Sequence, residues 1–318
     1  MFSPFMTERA DGGPTSWEEH IADITGGNLA VAKWRHDPDD SAFDDGKAFR
    51  AIRGAISEHN NDPQRLRKPA IEITALLPPA GAAREESDEA LRSLWNLFVS
   101  LAQQTPSGNI ALLDLVVILD HLSASPRAVS TVTVDGFEQL SRLHRLEQAI
   151  RDYMKSPYDD DLAVRERSLS RFVNLNAFAA LLWSYNLIDG RDFAIQQLRS
   201  AFEDRRSSDA GDRSGADARL MAAAQWAIHS CQRLYHLSVT CEPASPEGSD
   251  DGSERRWRPG ARFKGRAGFS FQRWEFWQQS FEEAKELGNR GIEAKVEAGA
   301  ASGMMEKVLY AGFEVYHG

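Results

Sequence analysis

Residues 171–187, from Arg171 to Leu187, read RFVNLNAFAALLWSYNL. Apolar side chains recur all round a 3.6-residue period, which describes a helix packed on every side and not one lying on a surface. A second stretch, NIALLDLVVILDHL from Asn109 to Leu122, has the same character. Two such helices need others to wrap them. Further helix-period segments run over Asn28–His36, Ser41–Asn60, Ser87–Gln104, Val134–Met154, Asp161–Ile188, Asp192–Glu203, Ala216–Leu237, Phe269–Leu287 and Ile292–Val315, the last weakened by Gly299 and Gly303. A capping box, Ser16 with Glu19, opens the first ordered helix through Trp17 and Ile21. Strand signals are confined to Ala70–Leu77 and Ala128–Val134, each short and flanked by Pro or Ser. The expected fold is all-α: one multi-helix globular domain over residues 16–318 around a central apolar helix, with residues 1–15 a disordered N-terminus.

Two segments, 205–217 and 242–260, are rich in Ser, Gly, Asp and Pro with almost no apolar residues, so both are expected to be mobile loops. No fixed period repeats along the chain, which speaks against a regular solenoid. Hydrophobic residues at 42% and charged residues at 26% are globular values. A net charge of -10 repels nucleic acid and anionic lipid as a whole, while leaving room for a local basic pocket. The two cysteines, Cys231 and Cys241, form neither a disulfide framework nor a paired zinc site, and the N-terminus has no apolar signal region. A cytoplasmic protein without a membrane span is the expectation.

Four blocks, LWNLFVSLA from Leu94, RFVNLNAFAALLW from Arg171, AAAQWAIHSCQRLY from Ala222 and FSFQRWEFWQQSF from Phe269, resemble a family of fungal proteins known as domain of unknown function 3632. The resemblance spans about Leu91 to Leu287, and its motifs are aromatic, so it implies a helical fold and no particular chemistry. A weaker resemblance is to the atypical humulene synthases of fungal tropolone-sesquiterpenoid pathways. It implies a magnesium ion and a lysine on a late helix, without the usual cyclase motifs.

Within Phe269–Leu287, the residues Trp274, Trp277, Phe281 and Lys285 fall along one stripe at 100° per residue, so Lys285 prolongs an aromatic face. It either snorkels to water at a helix C-terminus or stands at the mouth of an aromatic pocket, holding an anionic group with Arg273 and Lys264 as helpers. Phe178 and Trp226 are further candidates for that pocket's lining. Asp114 interrupts an apolar run with His121 on the same helix face; the first reading is a half-exposed surface acid, and the other is a buried carboxylate, which needs a cation, a metal or a proton. Asn174 and Asn176 pose the same question as amide ligands or as core side chains satisfying backbone. The acids at Asp159, Asp160 and Asp161, and at Asp39, Asp40, Asp44 and Asp45, read as helix caps and first-turn acids. A DDxxE string, Asp250 to Glu254, lies in a polar loop and not on a pocket-lining helix. His229 and His236 share a face with Arg233 between them and Trp226 one turn before, without a third ligand at zinc spacing. There is no GxSxG, P-loop or dinucleotide-binding glycine pattern.

Two classes of function remain. One is an atypical terpenoid cyclase acting on an apolar diphosphate, in which Lys285 and Asp114 are catalytic, Asp114 and Asn174 hold Mg²⁺, and Trp274, Trp277, Phe281, Arg273, Phe178 and Trp226 contact the substrate. The other is a non-enzymatic helical protein that binds a partner helix or peptide on an aromatic face. The oligomeric state is open.

Overall fold

The structure, a computed structural model, describes residues 43–57, 64–79, 81–134, 137–154, 162–204, 212–240 and 257–317. Among these residues the chain is all-α apart from one hairpin. Its helices are α1 Asp45–Ser57, α2 Arg67–Leu76, α3 Arg84–Gln104, α4 Ile110–Ser123, α5 Leu146–Tyr153, α6 Leu162–Ser184, α7 Arg191–Leu198, α8 Arg213–His229, α9 Cys231–Val239, α10 Phe271–Glu286 and α11 Ile292–His317. The expectations for residues 1–15, Asn28–His36, the Ser16 capping box and Asp250 to Glu254 lie outside the described residues, as does 241–256.

The two apolar stretches become α6 and α4. Leu175, Asn176, Ala177, Phe178, Ala179, Ala180 and Leu182 of α6 are wholly buried, and the helix packs on α3, α4 and α8. Asn109 caps α4 by accepting from the Ala111 amide at 2.9 Å. The last helix runs straight through Gly299 and Gly303 because a face of small residues, Ala294, Ala298, Ala301 and Ser302, lets it lie close against α8 and α10.

Several boundaries differ from the sequence pattern, each for a physical reason. Ala70–Leu77, read as strand from its β-branched residues, is helical in α2: Ala70, Ile73 and Leu77 are buried at helical spacing, and Pro69 sits in the first turn, where no amide is needed. The single helix expected over Val134–Met154 is instead a hairpin followed by α5. Strand β1, Val129–Val134, pairs antiparallel with β2, Phe137–Arg142, in a register that sets Val134 against Phe137. The sequence between those partners is Asp135-Gly136, a strong turn dipeptide.

Helix α6 stops at Ser184 and does not reach Ile188. Asn186 adopts a left-handed φ of 62°, the Leu187 amide bonds back to the Leu182 carbonyl at 2.9 Å and the Asn186 amide to that of Trp183 at 3.0 Å, which is a Schellman termination. The helix expected over Ala216–Leu237 begins earlier, with Asp212 as cap accepting from the Gly215 amide, and breaks at Ser230 into α8 and α9. Beyond α7 the helix widens into a π-turn over Arg199–Glu203.

Candidate functional site

The aromatic stripe that pointed to Lys285 is core. Trp274, Trp277 and Phe281 are wholly buried, with Phe281 packed edge-on to Phe202 and Trp274 on Tyr235. Phe178 and Trp226 are equally buried, and the Trp226 indole donates to the Asn176 side chain at 2.9 Å. Lys285 lies outside that core, paired with Glu282, whose other oxygen accepts from Ser302 at 2.9 Å. Hydrogen bonding to Glu282 raises the Lys285 ammonium further above its ordinary range, and the same contact lowers Glu282. The groove around them holds Glu275, Glu282 and Glu306 against one lysine, so it repels a diphosphate. Lys285 is thus a surface lysine in an acidic groove, not the mouth of an aromatic pocket. Lys264, its suggested helper, is exposed.

Arg273, the other suggested anion holder, is wholly buried and already occupied. Its Nε donates to Glu203 Oε1 at 2.8 Å and its Nη2 to Glu203 Oε2 at 2.9 Å. The remaining N–H groups go to the carbonyls of Trp257, Gly268 and Arg258 at 2.9, 2.8 and 3.4 Å, which uses all five donors of the guanidinium. Glu203, also wholly buried, accepts in addition from the Trp277 indole and the Gly260 amide, both at 2.9 Å. Gly260 is obligatory there, since a Cβ would stand 2.6 Å from Glu203. This network ties residues 257–273 to the π-turn, so the end of the segment expected to be a loop over 242–260 is packed. The segment expected over 205–217 is likewise helical from Arg213.

The metal set is spent in the same way. Asp114 is buried because Arg65 grips both of its oxygens, at 3.0 and 3.1 Å. The cation that a buried carboxylate needs is therefore a guanidinium. Asn174 accepts from the Ser107 amide at 3.0 Å and donates to the Gln103 carbonyl at 2.9 Å, tying α6 to the α3–α4 turn. Asp114 and Asn174 do not fit a magnesium site, because their oxygens face hydrogen-bond donors. Among the described residues no three His, Cys, Asp or Glu side chains gather as a metal cluster. Asp44 accepts from the Lys47 amide at 2.8 Å, as a helix cap does, and Asp45 lies in the first turn, whereas Asp39, Asp40 and Asp159 to Asp161 lie outside the described residues.

A cleft lies elsewhere, where the α6–α7 turn, the α8–α9 break, the residues around the start of α5 and the middle of α11 meet. Its volume is about 1110 Å³. Trp183, Leu187, Ile228, Leu237, Met304 and Val308 supply apolar wall, and Arg145, Arg191, Arg233, His229 and His236 supply polar groups. Trp183 is held by contact with Gly190, where a Cβ would come within 2.5 Å of the indole. Burial pushes the His229 imidazole down to about 4, so it is neutral near pH 7. Burial pushes the neighbouring Cys231 thiol up to about 12, so it is no thiolate nucleophile.

Leu143, Arg145 and Asn186 are the non-glycine residues with positive φ among the described residues, at 50°, 66° and 62°, and all three line this cleft. Asparagine tolerates that region, whereas leucine and arginine lose about 1 kcal/mol or more there. Their surroundings enforce it. The Trp95 indole donates to the His144 carbonyl at 2.6 Å, the Leu143 amide bonds the Ala128 carbonyl at 2.9 Å, and Asp88 holds Arg145 at 2.9 Å. Strain that the fold maintains at one cleft marks that cleft as a candidate site. Sequence reading saw His229, Arg233 and His236 as one helix face. It missed Leu143, Arg145 and Met304, which reach the same place from distant parts of the chain.

Among known protein families, the one described as a protein of unknown function, DUF3632, matches residues 95–281, more than half of the chain. No curated protein and no solved structure matches. Among the described residues, no helix is long and apolar enough to cross a membrane.

Proposed function

The chain belongs to the DUF3632 family, and from that premise we propose that it is a helical binding protein whose cleft beside the α8–α9 break takes a small molecule with an apolar body. The observation that carries this reading is the cleft itself: about 1110 Å³, slightly above the ~300–1,000 Å³ usual for small-molecule sites, with Trp183, Ile228, Leu237, Met304 and Val308 as the apolar part of a mixed lining. An apolar ligand laid on those side chains gains about 25 cal/mol for each Å² it removes from water. His229 is neutral and the Cys231 thiol protonated, which suits a site that holds a ligand. A partner helix laid on the Trp274 stripe finds no surface there, because that stripe is core.

Nile red, an uncharged apolar dye, tests the reading. Wild type should bind one dye per chain with a rise in emission, and Ile228→Trp, which sets a bulky ring into the apolar wall, should weaken that binding while keeping its thermal melt. An absent site, or equal binding by the variant, sinks the proposal. A terpenoid cyclase would instead convert a prenyl diphosphate with magnesium into extractable hydrocarbon, and that product would replace the binding reading.

A further inference from the structure

The charges of the cleft do not cancel. Its lining sets Arg145, Arg191 and Arg233 against Glu147 and Asp189. Both acids are already engaged, Glu147 by Arg151 at 2.9 Å and Asp189 by Arg191 at 2.7 Å, while Arg145 is held by Asp88. Arg233 differs from them: partly buried, its side chain forms no ion pair or hydrogen bond among the described residues. It stands in the first turn of α9, where the helix macrodipole disfavours a cation. Nor does Ser230 cap that turn, since its hydroxyl donates to the Ala180 carbonyl at 2.6 Å. On a chain of net charge -10, an uncompensated guanidinium set in a cleft of mixed polar and apolar lining is a recognition element for an anion.

We propose that the ligand of this cleft is an amphipathic anion, whose carboxylate or phosphate meets Arg233 while its apolar body lies on Trp183, Ile228, Leu237 and Met304. The inference rests on the cleft being the binding site. A planar guanidinium can grip either head group through two parallel hydrogen bonds, and the charge-assisted contact adds to the burial of the tail. His236, three residues along α9, lines the same cleft and is the next side chain a larger head group would meet.

Calorimetry with decanoate, decyl phosphate and decanol on the full chain separates the possibilities, because the three share one tail. At least one anion should bind wild type with 1:1 stoichiometry and about tenfold or more tighter than decanol, as expected of one hydrogen bond to a charged group. Whichever anion gains more identifies the head group. Arg233→Ala should bring the anions to the level of decanol, and Arg233→Lys should keep part of the preference. Equal binding of decanol and both anions to wild type, or an anion preference that survives Arg233→Ala, overturns the inference and leaves the cleft as a site for neutral ligands. Failure of all three probes to bind overturns the cleft reading with it.

Discussion

Arg273 and Arg233 are the same side chain on neighbouring helical elements, and they live under opposite conditions. Arg273 is wholly buried with all five donors used and its charge matched by Glu203. Arg233 is partly exposed in an open cleft with no charge to match it among the described residues. The first arrangement joins one part of the chain to another: it fastens 257–273 to the π-turn after α7, far apart in sequence. The second leaves binding capacity unspent. A saturated guanidinium is a piece of architecture, and an unsaturated one in a cleft is available to a ligand.

The largest effect should come from breaking the saturated side. Glu203→Ala leaves the Arg273 cation buried without its partner and strands the Trp277 indole and the Gly260 amide, which together should cost about 3–5 kcal/mol. Replacing both charges, as Glu203→Leu with Arg273→Met, should cost less than the sum of the two single changes, because no orphaned charge remains. Urea titration of wild type, Glu203→Ala, Glu203→Leu, Arg273→Met and the double variant reads this directly. A Glu203→Ala loss below about 1 kcal/mol would mean that the network contributes little to stability.

What could be read in the sequence followed the range of the interaction. Helices α4 and α6 were legible because their apolar periodicity is local. The first strand of the hairpin was legible in the β-branched run Ala128–Val134, but the helical pattern of Val134–Met154 hid the second strand and the turn before it. At Ala70–Leu77 the cluster Ile71, Ile73 and Thr74 mimics a strand, and only packing shows that Ala70, Ile73 and Leu77 share one buried face. Nothing in the composition around Ser230 marks the break between α8 and α9, yet that break opens the cleft. The site residues show the same limit. Arg273 looked like an anion holder on its own helix because its partner Glu203 lies 70 positions away, and Asp114 looked like a metal ligand because Arg65 lies 49 positions before it. The His229, Arg233 and His236 face was visible as a pattern, but the walls contributed by 143–147 and α11 are long-range and leave no local trace.

A middle-sized effect belongs to His229, which lies in the cleft and carries no charge near neutrality. Its folded value is depressed from 6.5 to about 4 by burial, so the unfolded chain binds the proton more readily. The contribution is fully present above pH 6.5 and is lost as the pH drops through the window from 6.5 to 4, the loss reaching about 3 kcal/mol below it. Urea midpoints at pH 7.5, 6, 5 and 4.5 should therefore decline more steeply for wild type than for His229→Gln. Parallel profiles would show that His229 is not desolvated, and the cleft would be wetter than its lining suggests.

The smallest effect is the one that most sharpens the contrast between the two arginines. Removing Arg273 should be severe, whereas Arg233→Ala should leave stability within about 0.5 kcal/mol of wild type, as substitutions away from packing and networks do. There is reason to expect a slight gain. Arg233 stands in the first turn of α9, against the positive end of the macrodipole, and Ser230 offers no side-chain cap. Deleting the cation relieves that repulsion, and Arg233→Glu reverses it, which should add about 0.3–1 kcal/mol at low ionic strength and less at high salt. A thermal melt of wild type, Arg233→Ala and Arg233→Glu at low and high salt gives the ordering. Wild type lowest and Arg233→Glu highest, with the differences shrinking in salt, is the mark of an arginine held in place at a cost to stability. A clear loss on Arg233→Ala would instead place Arg233 with Arg273, as a structural residue whose partner lies within the fold.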